Sequence, residues 1–423
     1  MNRRQFLVVA AGAAVAAALA FKPSDGGASY APYFNALNEE LKRSGPYKPV
    51  LLVDLDKLDQ NLRALTNGLR DRLAYRVVAK SLPSPKLLGY IMQAARTEKL
   101  MVFHQPFIRH IAERFPRADL LVGKPLPAKG ADNFYAGFTN TSGFDPARQI
   151  QWLIDTKARL DQYQAIAHKM NTKLRINIEI DVGLHRGGLQ APAEMIPIVE
   201  QILADPEHLE LAGFMGYDVH AVKIPGIIKS QASAYAQSQA DYQNFLDLLK
   251  SRYPQIDADR LCLNGAGSPT LNLHKQKTLI NDLAAGSCLV KPTEFDLPTL
   301  QEYMPAAYIA TPVLKRLRGT TIPAIESFKG LLSWWNPNMA QTFFIYGGKW
   351  MAHYESPGGL RDNGFYGPST NQHMVNGSGK IDLDVDDHVF LRPSQSEFVF
   401  LQFGDLLAVR HGRIVEQWPI LKE

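Results

Sequence analysis

Short apolar runs alternate with amphipathic segments over most of the chain. Apolar runs of four to eight residues between turn residues are typical of buried strands, and apolar residues three and four apart are typical of helices. From Tyr75 onward the pattern predicts eight strands, at residues 75–80, 100–104, 120–123, 151–155, 174–181, 209–217, 260–264 and within 283–290. Helical segments lie between them, at 106–114, 158–170, 192–203 and 233–251.

Eight alternating units over roughly 220 residues favour a closed (β/α)8 barrel, whose usual length is about 250 residues. The alternative is an open doubly wound sheet, which would carry a glycine-rich turn after its first strand. Here the turn after residues 75–80 has no glycine before Gly89. The predicted fold class is therefore α/β, a TIM-type barrel with a C-terminal all-β domain.

The segments outside the barrel pattern predict how the chain is divided. A helix at 33–42, a strand at 50–54 and a helix at 55–73 precede the barrel strands. Beyond residue 305, β-rich runs alternate with turn residues, which predicts a β domain; the runs are 343–346, 389–391, 398–403, 406–409 and 413–416. We predict a signal and linker over 1–29, a barrel domain over 30–306 that includes the N-terminal strand and helix, and a β domain over 307–423.

The N-terminus resembles a twin-arginine export signal. Arg3 and Arg4 precede an Ala-rich apolar segment at 8–20, and Ala18-Leu19-Ala20 suits signal cleavage. This segment is too short to span a membrane as a stable helix. We therefore expect a periplasmic protein that starts near Phe21 and has no stable membrane span after signal removal.

Charge and cysteine content argue against two classes of protein. The net charge of +5 is small for 423 residues and is not gathered into basic runs, which disfavours nucleic-acid binding. Cys262 and Cys288 both lie in apolar runs and are expected to be buried, and two cysteines cannot form a disulfide framework.

Lys80 ends the first predicted barrel strand, and Ser81 and Pro83 stop that strand. Barrel enzymes hold their chemistry at the carboxyl ends of their strands. A partly desolvated lysine there can form a Schiff base with an aldehyde cofactor. The alternative is a lysine that extends from the strand end to water.

A glycine-rich loop, NGAGSPT at 264–270, follows the seventh predicted strand. Gly265 and Gly267, on either side of Ala266, let the backbone approach a ligand, while Ser268 and Thr270 add hydroxyl donors. Barrels commonly bind phosphate in the loops after strands seven and eight. The loop is therefore a candidate phosphate site, with a simple tight turn as the alternative.

Two further turns carry polar residues at the same predicted end of the barrel, EIDVGLHRGG at 179–188 and GYDVH at 216–220. Arg186 could hold a carboxylate or the phenolate of a cofactor, or form an ion pair with Asp181 that only shapes the loop. Tyr217 and His220 could contact a flat ring and move a proton, or be structural residues.

Taken together, these motifs resemble the fold-type III pyridoxal phosphate enzymes, and within them the D-threonine aldolase and D-serine dehydratase-like group. The resemblance covers about residues 49–423 and rests on VLLVDLDKLDQN, the lysine, EIDVGLHRGG, GYDVH, NGAGSPT and the C-terminal LRPSQSEF and GDLLAVRHGRIVEQWPI. It implies that Lys80 is the Schiff-base lysine, that Arg186 and Tyr217 line the cofactor with His220 against or near it, and that 265–270 binds its phosphate. We also expect a homodimer with a small amino-acid substrate.

The chain departs from this group at two places. Val77 and Val78 stand where the group has Pro and His before the lysine. The group's metal pair, a His and a Cys or Asp two apart, is replaced by Gln395 and Glu397. Oxygen ligands disfavour zinc, which leaves a hard divalent ion at Glu397 or no metal at this degenerate site.

The predicted function is an exported lyase that cleaves or dehydrates D-3-hydroxy amino acids, with Lys80, Tyr217 and His220 as catalytic residues and pyridoxal 5'-phosphate as cofactor. One alternative is a metal-independent periplasmic amino-acid racemase, whose facing group would come from the β domain, with His373 and Tyr366 as candidates. The other is a barrel that binds the cofactor or another ligand without catalysis.

Overall fold

The computed structural model describes residues 21–69 and 73–422, so the predicted export signal lies outside the described residues. By its contacts the described chain divides into two units. The barrel unit contains residues 53–306, 395–406 and 417–422, and the sheet unit contains residues 21–52, 307–394 and 407–416. This division shares the predicted boundary after residue 306 but places residues 30–52 in the sheet unit.

That placement follows from the core of the sheet unit. Strand β1 (Val50–Asp54) and helix α1 (Pro32–Ser44) contribute apolar side chains to it. Phe34 and Leu37 of α1 pack with Tyr308 and Phe390 in one buried cluster. Burial of these side chains, rather than proximity in sequence to the barrel strands, decides where the segment belongs.

Eight parallel strands form the closed barrel of the barrel unit, which confirms the predicted fold class. In order they are β2 (Ala74–Val78), β3 (Lys99–Val102), β4 (Asp119–Val122), β5 (Ile150–Ile154), β6 (Leu174–Glu179), β7 (Leu209–Gly216), β8 (Cys262–Gly265) and β9 (Asp282–Ala285). The barrel closes where β2 pairs with β9, with Val77 opposite Ala285. The carboxyl ends of all eight strands therefore face one mouth.

Helices of the barrel unit lie before or between these strands. They are α2 (Leu55–Thr66), α3 (Pro85–Ala95), α4 (Gln105–Arg114), α5 (Ala128–Gly137), α6 (Pro146–Gln149), α7 (Lys157–Met170), α8 (Ile196–Ala204), α9 (His220–Lys223), α10 (Gln231–Arg252) and α11 (Leu271–His274). The helix predicted over 55–73 ends at Thr66. Among the described helices, none combines the length and apolar character needed to cross a bilayer.

The barrel interior is apolar below its mouth and charged near the amino ends of the strands. Val78 and Met215 belong to the apolar layer. Because side chains alternate along a strand, Arg76 points inward like Val78. Its Nε lies 2.7 Å from Oδ1 of Asp282, and Lys99 Nζ lies 3.1 Å from the other oxygen of Asp282. Burial opposes ionisation of Asp282, but Arg76 and Lys99 hold its pKa below the usual value.

The sheet unit is mostly antiparallel, and its strands confirm the β domain predicted at the C-terminus. Its further strands are β10 (Ala307–Arg318), β11 (Gln341–Tyr346), β12 (Ala352–Ser356), β13 (Arg361–Asp362), β14 (Gln372–Gly377), β15 (His388–Pro393), β16 (Leu406–Arg410) and β17 (Arg413–Trp418). They run in the order β13-β14-β11-β10-β1-β16-β17, and β15 pairs with β10 and β12. One short helix, α12 (Lys329–Trp335), follows β10.

The prediction of a strand at 398–403 is wrong. Residues Val399–Gln402 form a short 3-10 helix instead, and the segment around it belongs to the barrel unit. Val399 and Phe400 are both fully buried. Adjacent side chains on a strand point to opposite faces, so two consecutive buried residues suit a helical turn better than a strand with one exposed face.

Candidate active site

Lys80 lies just inside the barrel mouth. Strand β2 ends at Val78, and Ala79–Ser81 form a 3-10 turn that carries Lys80 two residues beyond the strand. Ala79 and Ser81 are buried, whereas the Lys80 side chain keeps 36% of its surface exposed. The turn therefore fixes the backbone and leaves the amine accessible.

Two side chains hold the Lys80 amine. Its Nζ lies 2.8 Å from Oε1 of Glu397 and 4.3 Å from the centre of the Phe103 ring. An ammonium group over an aromatic face is attracted by the ring quadrupole. The reactive nitrogen is thus placed by a carboxylate and an aromatic ring.

A cavity of about 120 Å³ at the mouth brings most of the predicted site residues together. Those that line it are Lys80, Arg186, Tyr217, Ala266, Gly267, Ser268 and Glu397. Residues after β9 complete the wall, including Gly286 and Ser287. Gly265, His220 and Gln395 are not among the lining residues.

The glycine-rich loop is tightly packed against its neighbours. Ala266 has a φ of 65°, in the left-handed region, and a Cβ atom on Gly267 would come within 2.5 Å of Cε2 of Tyr217. Ser268 Oγ accepts hydrogen bonds from the N–H groups of Gly286 and Cys288, at 3.2 and 3.0 Å. The loop after β8 is thereby tied to the loop after β9.

Thr270 was predicted to donate a hydrogen bond to a phosphate, but it is not among the residues that line the cavity. It is fully buried, and its Oγ1 donates a hydrogen bond to Oδ1 of Asp218 at 2.7 Å. His274 Nε2 lies 2.7 Å from the other oxygen of Asp218. Burial opposes ionisation of Asp218, but His274 and Thr270 hold its pKa below the usual value. Thr270 is therefore a positioning residue.

Sequence reasoning did not find the role of Asp218 and His274. Asp218 follows Tyr217 directly, and His274 ends α11 just after the glycine-rich loop. Their pairing joins two turns that carry lining residues. The sequence does contain one indication, because Asp218 lies in GYDVH at the end of a predicted buried strand, where a charged side chain needs a partner.

Arg186 and Tyr217 form one side of the cavity. The guanidinium carbon of Arg186 lies 4.8 Å from the centre of the Tyr217 ring. Burial raises the pKa of Tyr217 to about 12; Arg186 opposes this rise, while Asp218 and Glu397 add to it. Tyr217 therefore remains a neutral phenol at ordinary pH and can donate a hydrogen bond.

The expected alternative, an Asp181 to Arg186 ion pair, is replaced by another pairing. Asp181 Oδ2 lies 2.7 Å from Nδ1 of His185, and Oδ1 accepts from the N–H groups of Gly183 and His185. The loop is shaped by His185, and Arg186 instead contacts Tyr217.

His220 lies beside the site rather than in its wall. It begins α9, and its Nε2 is 3.2 Å from Oγ of Ser238 on α10. A Cβ atom on Gly183 would come within 2.9 Å of the same nitrogen, so the ring packs closely on the loop after β6. Burial lowers the pKa of His220, although Asp218 and Asp181 oppose this.

The two residues predicted as degenerate metal ligands make contacts with different partners. Gln395 Nε2 donates to Oε2 of Glu294 at 2.8 Å, whereas Glu397 contacts Lys80. A possible set of metal ligands lies elsewhere in the described residues, 21–69 and 73–422. The side-chain donor atoms of His168, Asp205 and His208 lie close enough together to hold a metal ion. This set lies on α7 and before β7, at the amino ends of the strands.

The two candidates for a facing group lie in the sheet unit. His373 is buried, its Nδ1 accepts from the N–H of Ser369, and its Nε2 lies 2.9 Å from Oδ1 of Asp362. Tyr366 is half exposed, and its hydroxyl lies 3.4 Å from the carbonyl oxygen of Thr321. Both ring nitrogens of His373 are thus engaged within that unit.

A family description fits this architecture. The model of the alanine racemase N-terminal domain matches residues 53–293, more than half of the chain. The chain belongs to this family. Members of the alanine racemase N-terminal domain family are pyridoxal phosphate-dependent enzymes that act on small molecules. No curated protein gives a significant match to the sequence.

Solved structures share the fold of this family member at low identity. A D-threonine aldolase from Filomicrobium marinum is 15% identical with a TM-score of 0.66, and the match covers 88% of this chain and 96% of that one. For a D-threo-3-hydroxyaspartate dehydratase from Delftia sp. HT23 the values are 14%, 0.67, 89% and 97%. An alanine racemase from Bacillus anthracis with bound L-Ala-P gives 15%, 0.65, 88% and 97%.

The cavity residues of this alanine racemase-family chain fit a phosphorylated aldehyde cofactor. Lys80 supplies a primary amine, and the loop at 266–268 supplies a backbone that no larger residue at Gly267 could maintain. A Cβ atom on Gly286 would meet Val78 at 2.9 Å, so the neighbouring loop is equally close-packed. Arg186 and Tyr217 add a cation and a neutral hydrogen-bond donor to the lining of the same cavity.

Proposed function

We propose that the chain is a pyridoxal phosphate-dependent lyase that acts on D-3-hydroxy amino acids. The observation that carries the proposal is the contact between Lys80 and Glu397 inside a cavity that also contains the glycine-rich loop. Lys80 provides the amine that the cofactor requires. Glu397 provides a carboxylate beside that amine, where a hydroxylated substrate needs a proton carrier.

The cofactor would be held by Lys80, by the backbone at 266–268, and by Arg186 and Tyr217. The Lys80 amine would hold its aldehyde carbon, and the backbone at 266–268 would hold its phosphate. Arg186 and Tyr217 would contact its ring, with Tyr217 as a neutral donor. When bound, pyridoxal phosphate draws electrons away from the bond that breaks at the substrate's α-carbon.

The residues of the chain then decide which bond breaks. Lys80 Nζ is the basic group nearest to Glu397 in the cavity, and we assign it the transfer of the α-proton. Its contacts with Glu397 and Phe103 keep the nitrogen in one position. A fixed base reaches the α-carbon without paying for reorganisation during the reaction.

Product analysis tests the proposal. The protein is loaded with pyridoxal phosphate and incubated with D-threonine, D-serine and L-alanine. Glycine with acetaldehyde identifies an aldolase, and pyruvate with ammonia identifies a dehydratase; either result supports the proposal. The mirror-image amino acid alone identifies a racemase, and no product from any hydroxy amino acid overturns the lyase assignment.

Export to the periplasm is proposed from the N-terminal sequence, and assembly as a homodimer is proposed from the family resemblance. Arg3 and Arg4 before an apolar segment support export. Replacing Arg3 and Arg4 with lysine should keep the protein in the cytoplasm, and cell fractionation would measure this change in location. Light scattering of the uncleaved chain after size exclusion tests the dimer, because a mass near 47.1 kDa instead of twice that value would contradict it.

A further inference from the structure

We propose that Glu397 is the catalytic acid and base for the β-hydroxyl of the substrate, and that it exchanges this proton with Lys80. The inference rests on the proposed lyase function and deepens it. It assigns to a side chain of this protein the handling of a hydroxyl proton without a bound metal ion.

The contact between the two side chains has the geometry of proton transfer. Glu397 Oε1 and Lys80 Nζ are 2.8 Å apart, within the range of a strong charge-assisted hydrogen bond. Both side chains line the cavity, with 40% and 36% of their surfaces exposed. Each can therefore contact the other and a bound amino acid.

The segment that carries Glu397 is anchored in the barrel unit. Ser396 is fully buried, and the N–H of Phe400, also fully buried, donates to its carbonyl oxygen. Ser396 Oγ lies 3.4 Å from Oγ of Ser287, which lies 3.0 Å from Oγ of Ser81, next to Lys80. These hydroxyl contacts connect the two segments that present the amine and the carboxylate.

In a dehydration, the pair would move one proton from carbon to oxygen. The Lys80 amine takes the proton from the α-carbon, and the electrons of that bond drive cleavage of the bond between the β-carbon and its oxygen. The Lys80 ammonium passes the proton to Glu397, which gives it to the departing hydroxide to form water. The released enamine then tautomerises to an imine as a proton moves from solvent to its β-carbon and another leaves its nitrogen, and hydrolysis of the imine by another water molecule yields the keto acid and ammonia.

In a retro-aldol cleavage, the same pair would move the proton in the opposite direction. The Glu397 carboxylate takes the β-hydroxyl proton, and the bond between the α- and β-carbons breaks with its electrons left on the α-carbon. The aldehyde leaves, the proton passes from Glu397 to Lys80, and Lys80 delivers it to the α-carbon. No oxidant, reductant or metal ion is needed for the proton balance.

Charge also favours this role for Glu397 over that of a metal ligand. A carboxylate paired with an ammonium at 2.8 Å is already compensated. A divalent cation on the same carboxylate would lie within a few ångströms of that ammonium, and like charges at that distance repel each other. Gln395, which would have to be the second ligand, is hydrogen-bonded to Glu294.

The test compares Glu397→Gln, Glu397→Asp and the matched control Glu294→Gln. Glutamine preserves the size of Glu397 but cannot carry the proton, aspartate keeps a carboxyl group on a shorter chain, and Glu294 lies outside the cavity lining. The substrates are D-serine and D-threonine, each assayed with and without a chelator. D-Alanine, which has no β-hydroxyl, is followed by exchange of its α-hydrogen in deuterium oxide.

Two further measurements do not depend on turnover. Borohydride reduction and peptide mapping give the amount of pyridoxal phosphate attached to Lys80. In the cofactor-free protein, mapping after trinitrobenzenesulfonate gives the rate at which Lys80 is labelled. Loss of the carboxylate should increase this labelling several-fold, because the charge-assisted hydrogen bond to Glu397 occupies the amine that the reagent must reach.

We expect Glu397→Gln to retain cofactor and D-alanine exchange and to lose about 10² to 10⁴-fold in kcat on the hydroxylated substrates. Glu397→Asp should recover part of the loss, and Glu294→Gln should match the wild type. Full turnover by Glu397→Gln, loss of its cofactor, or wild-type turnover that a chelator abolishes would each overturn the inference. A wild type that yields no product from either hydroxylated substrate would instead overturn the proposed function, whether or not it exchanges the α-hydrogen of D-alanine.

Discussion

The carboxylate of Asp218 lies 2.7 Å from Nε2 of His274, and each side chain is only 2% exposed. The pair holds together the turn that carries Tyr217 and the short helix after the glycine-rich loop. Nδ1 of His274 is in turn 2.8 Å from Oγ1 of Thr278. The cavity wall is thus supported by a buried polar network rather than by apolar packing alone.

Asp218→Asn should destabilise the protein by about 3–5 kcal/mol at neutral pH, since removing one partner of a buried charged pair leaves the other without compensation. The amide would also direct a donor toward Thr270 or His274, which both donate to the carboxylate. Denaturant unfolding measures the change. The control Glu207→Gln makes the same chemical change at an exposed site and should alter stability by less than about 0.5 kcal/mol.

The same variant makes a prediction about pH. Because the pKa of Asp218 is lower in the folded protein, its contribution to stability is complete above its unfolded pKa, about 3.9, and is lost as the pH falls through the folded value. The stability difference between wild type and Asp218→Asn should therefore shrink below about pH 4. A difference that grows under acid conditions would contradict the assignment of Asp218 as the ionised partner.

Lys80→Ala should abolish both cofactor attachment and turnover. The alanine has no amine to hold the aldehyde carbon, and the α-proton has no base. Lys80→Arg keeps a cation beside Glu397 but cannot replace the amine, so it should be equally inactive while preserving the fold. Lys124→Ala, at an exposed lysine just beyond β4, is the control and should retain full absorbance. An unchanged visible spectrum in Lys80→Ala would refute the cofactor assignment.

Much of the barrel could be predicted from the sequence, because each strand is a local run of apolar residues. The position of Lys80 could be predicted only to within two residues, since nothing in the sequence separates the end of β2 from the following 3-10 turn. The error at 398–403 has the same origin, because an apolar run alone does not distinguish a strand from a helical turn.

The partners of the site residues could not be predicted. Asp218 and His274 are 56 residues apart, and Glu397 meets Lys80 from the far end of the chain. Hydrophobic periodicity carries information about neighbours within one element, whereas these contacts depend on how the elements come together. The sequence marks Glu397 only as a departure from a metal motif, and its contact with Lys80 is visible only in the structure.

Tyr217→Phe should weaken cofactor binding by about 0.5–1.5 kcal/mol, the usual value of one hydrogen bond, and leave the pH dependence of activity unchanged. Since its pKa is raised to about 12, Tyr217 contributes no limb to the profile between about pH 6 and 10. Tyr217→Ala also removes the ring that Arg186 contacts and should bind cofactor more weakly than the phenylalanine variant. Equal losses in both variants would rule out a role for the ring face, as fluorescence titration with pyridoxal phosphate would show.

Gly267→Ala tests whether the loop after β8 must approach its surroundings as closely as the structure indicates. The added Cβ would lie 2.5 Å from Cε2 of Tyr217, so the loop or the ring must move. We expect a loss of about 1–3 kcal/mol in stability or cofactor affinity, the usual cost of overpacking. Gly330→Ala is the matched control, because a Cβ atom added there meets nothing within 4 Å. Alanine also favours the helix α12, which contains this position, by up to about 1 kcal/mol. A Gly267→Ala protein that binds cofactor like the wild type would show that this close approach is not required, and the phosphate would then have to be held elsewhere in the cavity.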